Sequence, residues 1–258
     1  QATRVWKKLY DEGRLNAVQR RFWEPKPPEE LYDLLNDVDE IDNLADSPTH
    51  QAVLNRLRQV QQDWIMESRD LGFLPEDEIH SRSAGSTPYE LAQDDSTYPL
   101  GKILRTAELA ASPAIDGIAE LLRALDDEDS AVRYWAALGL LMRGEGAVLA
   151  AEDRLKLALT ESSPTVRVTA AEALGRYGSE DELELALSVL LAHASPAANG
   201  VFVAMLATAA LDAMDERARS AQDQIAAIDT AGVTRVRPDA REVDRLIAKT
   251  LADFAITK

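Results

Sequence analysis

Val132-Arg133-Tyr134-Trp135-Ala136-Ala137-Leu138-Gly139-Leu140 and Val166-Arg167-Val168-Thr169-Ala170-Ala171-Glu172-Ala173-Leu174 share one pattern, and Gly144 and Gly178 close the two copies at the same interval that separates Val132 from Val166. An interval of about 34 residues is the mark of a repeat architecture. Each copy opens on a helix-starting signal, Asp129-Ser130 in one and Ser163-Pro164 in the other, and follows an apolar helix, Ile115 to Leu125 or Leu155 to Leu159. The unit is therefore helix, acidic or polar turn, helix. Two short antiparallel helices cannot bury their apolar faces alone, so successive pairs must stack, and paired alanines let the helices approach closely. Val132, Ala136, Ala137, Val166, Ala170 and Ala171 are the expected inner positions. Arg133 and Arg167 stand near the start of the second helix, within reach of the acidic turn of their own or a neighbouring unit, and Asp126, Asp127 and Asp129 are the expected partners.

Working outward, Leu100 to Leu109 reads as the first helix of the array, Glu182 to Leu211 as a degenerate third unit with Asn199 near the place of the arginine, and Val243 to Phe254 as a capping helix. The pattern Val-Arg-x-x-Ala-Ala resembles HEAT-type α-solenoid repeats, over roughly residues 100–215. Upstream, Ser81-Arg-Ser-Ala-Gly-Ser-Thr-Pro88 is small, polar and aperiodic, and 81–99 reads as a linker.

Residues 1–80 differ in composition, holding Trp6, Trp23 and Trp64 of the four tryptophans. Val5, Leu9 and Tyr10, then Leu15, Val18 and Phe22, predict two short helices about Gly13. Pro25, Pro27 and Pro28 end that pattern, and Leu31, Tyr32 and Leu34 suit an edge strand. Asp46-Ser47-Pro48 starts a helix whose apolar stripe is Val53, Leu54, Leu57, Val60, Trp64 and Ile65.

The string Phe22-Trp23-Glu24-Pro25-Lys26-Pro27-Pro28-Glu29-Glu30-Leu31-Tyr32-Asp33-Leu34, followed by Asp37, Asp39-Glu40 and Asn43-Leu44-Ala45, resembles the C-terminal segment of bacterial type I sulfatases of the heparan N-sulfatase-like group. In that family Glu-Leu-Tyr-Asp-Leu is the last strand of a small C-terminal sheet, and an Asp-Pro-x-Glu-x-x-Asn-Leu turn leads into a final helix; Val38 stands here for the usual proline. The resemblance covers about residues 1–80. It implies a mainly α chain: a HEAT-like α-solenoid over about 100–258 preceded by a small α+β sulfatase segment. The catalytic domain of the same parent chain, with its calcium and formylglycine, would then lie outside this sequence, and the parent would be periplasmic or secreted. Gln1 and the amphipathic residues after it read as a chain whose true start lies upstream.

Composition narrows the chemistry. The 258 residues carry 28 Lys+Arg against 45 Asp+Glu, a net charge of −17, which opposes non-specific binding to nucleic acid or other polyanions. With no cysteine there is no disulfide, thiolate zinc site or cysteine nucleophile. No apolar run reaches the ~18 residues of a membrane span. A type I sulfatase needs Cys/Ser-x-Pro-x-Arg; Ser162-Ser163-Pro164-Thr165-Val166-Arg167 puts the arginine one residue late and reads as a capped helix start, so no catalytic residue is assigned. Asp37, Asp39, Glu40 and Asp42 fail an EF-hand count, with Asp42 where glycine and Pro48 where glutamate should stand, and read as a solvated turn. His50, His80 and His193 have no partner at metal-ligand spacing. Arg4 to Lys26 holds seven basic residues among aromatics, so Arg20, Arg21, Trp23 and Lys26 are the place to hold a sulfated glycan. The competing reading is packing on the missing domain. The chain thus reads as the non-catalytic C-terminal part of a sulfatase-like hydrolase with a repeat module for protein interaction. The alternative is a free-standing solenoid adaptor.

Overall fold

The computed structural model describes residues 2–112, 117–230 and 241–256, in two compact units, 1–68 and 69–258. Among the described residues the chain is helical and contains no strand.

The first unit begins with α1 (Ala2–Asp11), turns at Gly13 with φ +66°, and continues into α2 (Ala17–Arg20). Asn16 caps α2 through a reciprocal bond set with Gln19, which satisfies two of the otherwise orphaned amides. A 3-10 turn, Arg21–Trp23, ends the pair. From Pro25 to His50 the chain is irregular, and here the expected edge strand is corrected. Leu31 donates its amide to Asn43 Oδ1 (2.9 Å), Leu44 donates to the Leu31 carbonyl (2.7 Å), and Asn43 Nδ2 reaches the Glu29 carbonyl. A strand exists only by pairing with another; no such pairing is present among the described residues, and Leu31 spends both its backbone groups on a local loop around Asn43 and Leu44. The long helix α3 (Gln51–Ser68) buries Leu54 and Ile65, whereas Val53, Leu57, Val60 and Trp64 of the expected stripe are exposed, Trp64 by 61%.

In the second unit the described segment is built from α4 (Glu76–Arg82), α5 (Pro88–Ala92), α6 (Leu100–Ala111), α7 (Ile118–Ala124) and α8 (Ser130–Met142). Then come α9 (Glu145–Ala150), α10 (Glu152–Ala158), α11 (Pro164–Tyr177), α12 (Glu180–His193) and α13 (Pro196–Asn199). The unit ends in α14 (Val201–Ala213), α15 (Gln222–Ala226) and α16 (Arg241–Ile256). Helices α6, α8, α11, α14 and α16 pack in succession as a front row. Behind it α7 packs on α8, α9 and α10 on α11, α12 between α11 and α14, and α15 on α16. Ile115, expected in the helix that precedes the first copy, lies outside the described residues.

The repeat positions form the spine of this stack. Val132, Ala136, Ala137, Leu140, Val166, Ala170, Ala171 and Leu174 are all buried. At Gly139 a Cβ would stand 2.9 Å from Ala110, so only glycine permits the α6–α8 crossing at this spacing. Arginines tie the stack end to end: Arg143 donates to the carbonyls of Leu109 and Ala110 at the end of α6, and Arg217 to those of Gly175 and Gly178 at the end of α11, each placing a cation where the helix dipole is negative.

The boundary between the units falls at 68/69, ahead of the expected limit at 80, and 81–99 is not an open linker. Thr87 and Glu90 form a capping box on α5, and Tyr98 is fully buried with its hydroxyl donated to the Asp70 carbonyl. Burial holds that phenol well above its usual pKa. Arg69 closes the loop by donating to the Ala92 carbonyl (2.5 Å) and pairing with Asp95.

Candidate functional site

The front row presents the N-termini of α8 and α11, and both are capped as their sequences require. Asp129 Oδ1 accepts from the amides of Ala131 (2.8 Å) and Val132, and Ser163 Oγ accepts from Val166 (3.4 Å) with Pro164 at the first helical position. The short helix α4 lies against these two ends. Its Glu78 is buried, and its Oε2 accepts from Arg82 Nη2 (2.6 Å), Arg82 Nε (3.0 Å) and Ser130 Oγ (2.8 Å), while its Oε1 accepts from Ser163 Oγ (2.9 Å). Arg82 then grips Asp129 with both terminal nitrogens (2.8 and 3.0 Å) and donates to the Thr97 carbonyl. One carboxylate thus joins the caps of two successive repeats, and one guanidinium joins the carboxylates that do it.

Electrostatics follow from the burial. It would push the Asp129 carboxyl up, but the bonds from Arg82 and the Ala131 and Val132 amides hold it below the usual value. Asp77 accepts from Thr165 Oγ1 (2.5 Å), yet burial, with Glu78 adding its negative charge, leaves its carboxyl above the usual value. The strap continues to both sides: Trp135 Nε1 donates to the Phe73 carbonyl (2.8 Å), and His80 stacks on Phe202 of α14 at 5.2 Å. Residues 73–82 therefore touch three consecutive front-row helices. Sequence reasoning missed this set, because Glu76-Asp-Glu-Ile-His-Ser-Arg82 reads as a polar surface run; the one available signal was the (i, i+4) pair Glu78/Arg82.

A second feature runs along the turns. Lys102 of α6 pairs with Asp127 (2.7 Å), and Arg133 of α8 pairs with Glu161 (2.8 Å), each cation reaching the turn of the following unit. Arg133 also donates to the carbonyls of Asp127 (2.6 Å) and Glu128 (2.9 Å). The expected partners of the repeat arginines are thus redistributed: Asp126 goes to Arg154, Asp127 to Lys102 and Asp129 to Arg82. Each carboxylate goes to the cation that packing brings beside it: Lys102 from the preceding front-row helix α6, Arg154 from α10 and Arg82 from α4. Arg167, in the place of Arg133, makes one 3.4 Å bond to the Ser162 carbonyl. Asn199 takes over the carbonyl role in the third unit, donating to Ala192 (2.9 Å) and Ser195 (3.3 Å).

In the first unit, Trp23 packs in a partly exposed aromatic cluster with Phe22 (4.8 Å), Trp6 (5.5 Å) and Tyr10 (6.3 Å). Arg20 pairs with Glu24 (2.8 Å) and Lys26 with Glu30 (3.5 Å). Arg21 and Lys26 line a groove of about 520 Å³ with Tyr32, Asp39, Glu40 and Asp42. The four residues are near one another, but two of the three cations are matched by adjacent carboxylates. Asp37 accepts from the amides of Ile41 (3.0 Å) and Asp42 (2.8 Å), the work of a turn cap. His50 bonds Ser47, His193 bonds the Val189 carbonyl, and His80 faces Glu76. Among the described residues no three His, Asp or Glu converge as a metal site requires, and no helix is long and apolar enough to cross a membrane.

Comparison with known proteins gives two findings. The HEAT repeats family matches residues 118–209. An ulvan-active sulfatase from Formosa agariphila is 40% identical over 73 residues, a stretch that is 28% of this chain and 12% of that enzyme. No solved structure matches the chain.

Proposed function

We propose that this chain is the non-catalytic C-terminal portion of a sulfatase-like hydrolase whose repeat array serves protein interaction or domain packing. The observation that carries the reading is the 40% identity over 73 residues to a sulfatase. The exposed row Val53, Leu57, Val60 and Trp64 on α3 supports it, because an apolar face of that kind is what a segment packed on a further domain presents. The parent would hydrolyse a sulfate ester or sulfamate of a sulfated glycan, with calcium and formylglycine in its own catalytic domain. Ser162 holds the serine's place in the near-match to the nucleophile motif, but its arginine stands one residue late, and the neighbouring Ser163 caps α11 and bonds Glu78. Arg21 and Lys26, which share one groove, are the pair offered to the glycan, with Arg20 and Trp23 beside them in the chain. In the intact protein, changing Arg21 and Lys26 to alanine should raise KM and leave kcat alone; an unaltered KM removes the glycan contact.

The repeats favour a second reading, a free-standing adaptor, since such arrays hold partners without chemistry of their own. An antibody raised against residues 100–258, used on the source organism, separates the two. A band well above 28.3 kDa supports the hydrolase parent, and a band at 28.3 kDa overturns it in favour of the adaptor.

A further inference from the structure

The ladder of cations along the front row is filled at two rungs and open at the third. Lys102 meets Asp127 and Arg133 meets Glu161, and Glu161 follows Asp127 by the same interval that separates the two repeat copies. Arg167 stands one such interval past Arg133, and the position one interval past Glu161 is Ser195. No Asp, Glu, Lys or Arg occurs from Leu185 to Leu211, so the turn of the third unit has no carboxylate to offer in any register. Arg133 binds two carbonyls and a carboxylate; among the described residues Arg167 has one long bond, to Ser162, and its Nε is shielded from water with no acceptor. Arg133 Nε shares that condition, but its terminal nitrogens are fully engaged. The terminal nitrogens of Arg167 are not among the buried atoms left without a partner, so a carboxylate laid on them would replace water with a charge-assisted pair.

We infer that Arg167 is a docking point for an acidic side chain of a protein partner, which completes the third rung as Glu161 completes the second. The ligand class is set by the molecule's own precedent: a carboxylate in an extended turn laid beside a front-row helix, taken by a planar fork suited to two-oxygen contacts. A free small anion gains little here, because the chain's charge of −17 repels it and it brings no further contacts. A peptide backbone beside the uncharged turn around Ser195 meets no competing charge. The inference rests on the array being an interaction module and is independent of the sulfatase parent.

The test uses the full 258-residue chain, isotope-labelled and titrated with a decapeptide of alternating Glu and Gly and with its Gln-Gly counterpart, following the Arg167 Nε–Hε resonance in the parent chain and the Val166 and Ser195 backbone amides in both the parent and Arg167→Gln. The expected result is a saturable shift with the Glu peptide alone, and an affinity reduced about tenfold or more in Arg167→Gln, the scale of a lost charge-assisted bond. Because Arg167 has so few bonds to lose, that variant should melt within about one degree of the parent chain. An unmoved resonance, equal affinity in Arg167→Gln, or the same shift from inorganic sulfate at matched ionic strength each overturns the inference. Partner capture elsewhere on the array would then still leave the interaction reading standing.

Discussion

Replacing Glu78 with alanine removes the acceptor for four hydrogen bonds and the countercharge of Arg82 in one step. Breaking a buried ion pair from one side costs about 3–5 kcal/mol. Arg82 keeps both contacts to Asp129 and one to Thr97, and the serine hydroxyls can rotate, so the lower end of that range applies, about 3 kcal/mol. For a unit of this size each kcal/mol moves the melting midpoint by about 2–4 °C, giving a fall of about 6–12 °C. Glu78→Gln keeps an oxygen for Arg82 and Ser130 and turns its amide toward Ser163 Oγ, so it loses charge without losing contacts and should fall about half as far. Denaturation followed by circular dichroism measures the midpoint, and hydrogen exchange locates the loss. Amides of α4 and of the first turns of α8 and α11 should lose protection ahead of the back row. A Glu78→Ala protein within about 1 kcal/mol of the parent, or with those amides unchanged, would refute the claim that α4 is part of the array.

Three further outcomes follow from the same geometry. The folded carboxyl of Asp77 is raised, so its contribution is fully present below the unfolded value of about 3.9 and is lost as pH rises through the folded value; Asp77→Asn should therefore stabilise the chain at pH 7 but not at pH 3.5, and equal effects at both would count against it. Glu182 has the opposite sign: burial pushes it up, but Lys156 and the Ser179 amide bring it to about 2, so its contribution is present above about pH 4.5 and disappears as pH falls toward 2. Glu182→Gln should then lower the melting midpoint at pH 7 and leave it unchanged near pH 2. Ser195→Glu, which supplies the missing carboxylate from within, should raise stability by up to about 1 kcal/mol in urea unfolding and weaken the Glu-Gly peptide; a variant with unchanged midpoint and unchanged peptide affinity would show that this turn does not reach Arg167.

What the sequence determined by itself is the periodic part. Val, Ala and Leu recurring at helical spacing within a fixed repeat can bury their apolar faces only by stacking, so Val132, Ala136, Ala137 and Leu140 and their counterparts were legible as core, and Asp129 and Ser163 as caps, from local chemistry alone. The tertiary structure decided everything that depends on who lies opposite. Leu31, Tyr32 and Leu34 have strand composition, but pairing is a property of two segments, and here Asn43 takes the Leu31 amide and Leu44 its carbonyl. The α3 stripe has helical period, but burial went to Leu54 and Ile65 because a face is buried only where something covers it. The same holds for the polar network: Glu78 meets Ser130 from 52 residues away and Ser163 from 85, separations that no local pattern encodes. Its negative charge looks like a solvated surface in one dimension and becomes a buried joint in three, because only the stacking of α8 on α11 brings two capped helix starts within reach of one carboxylate.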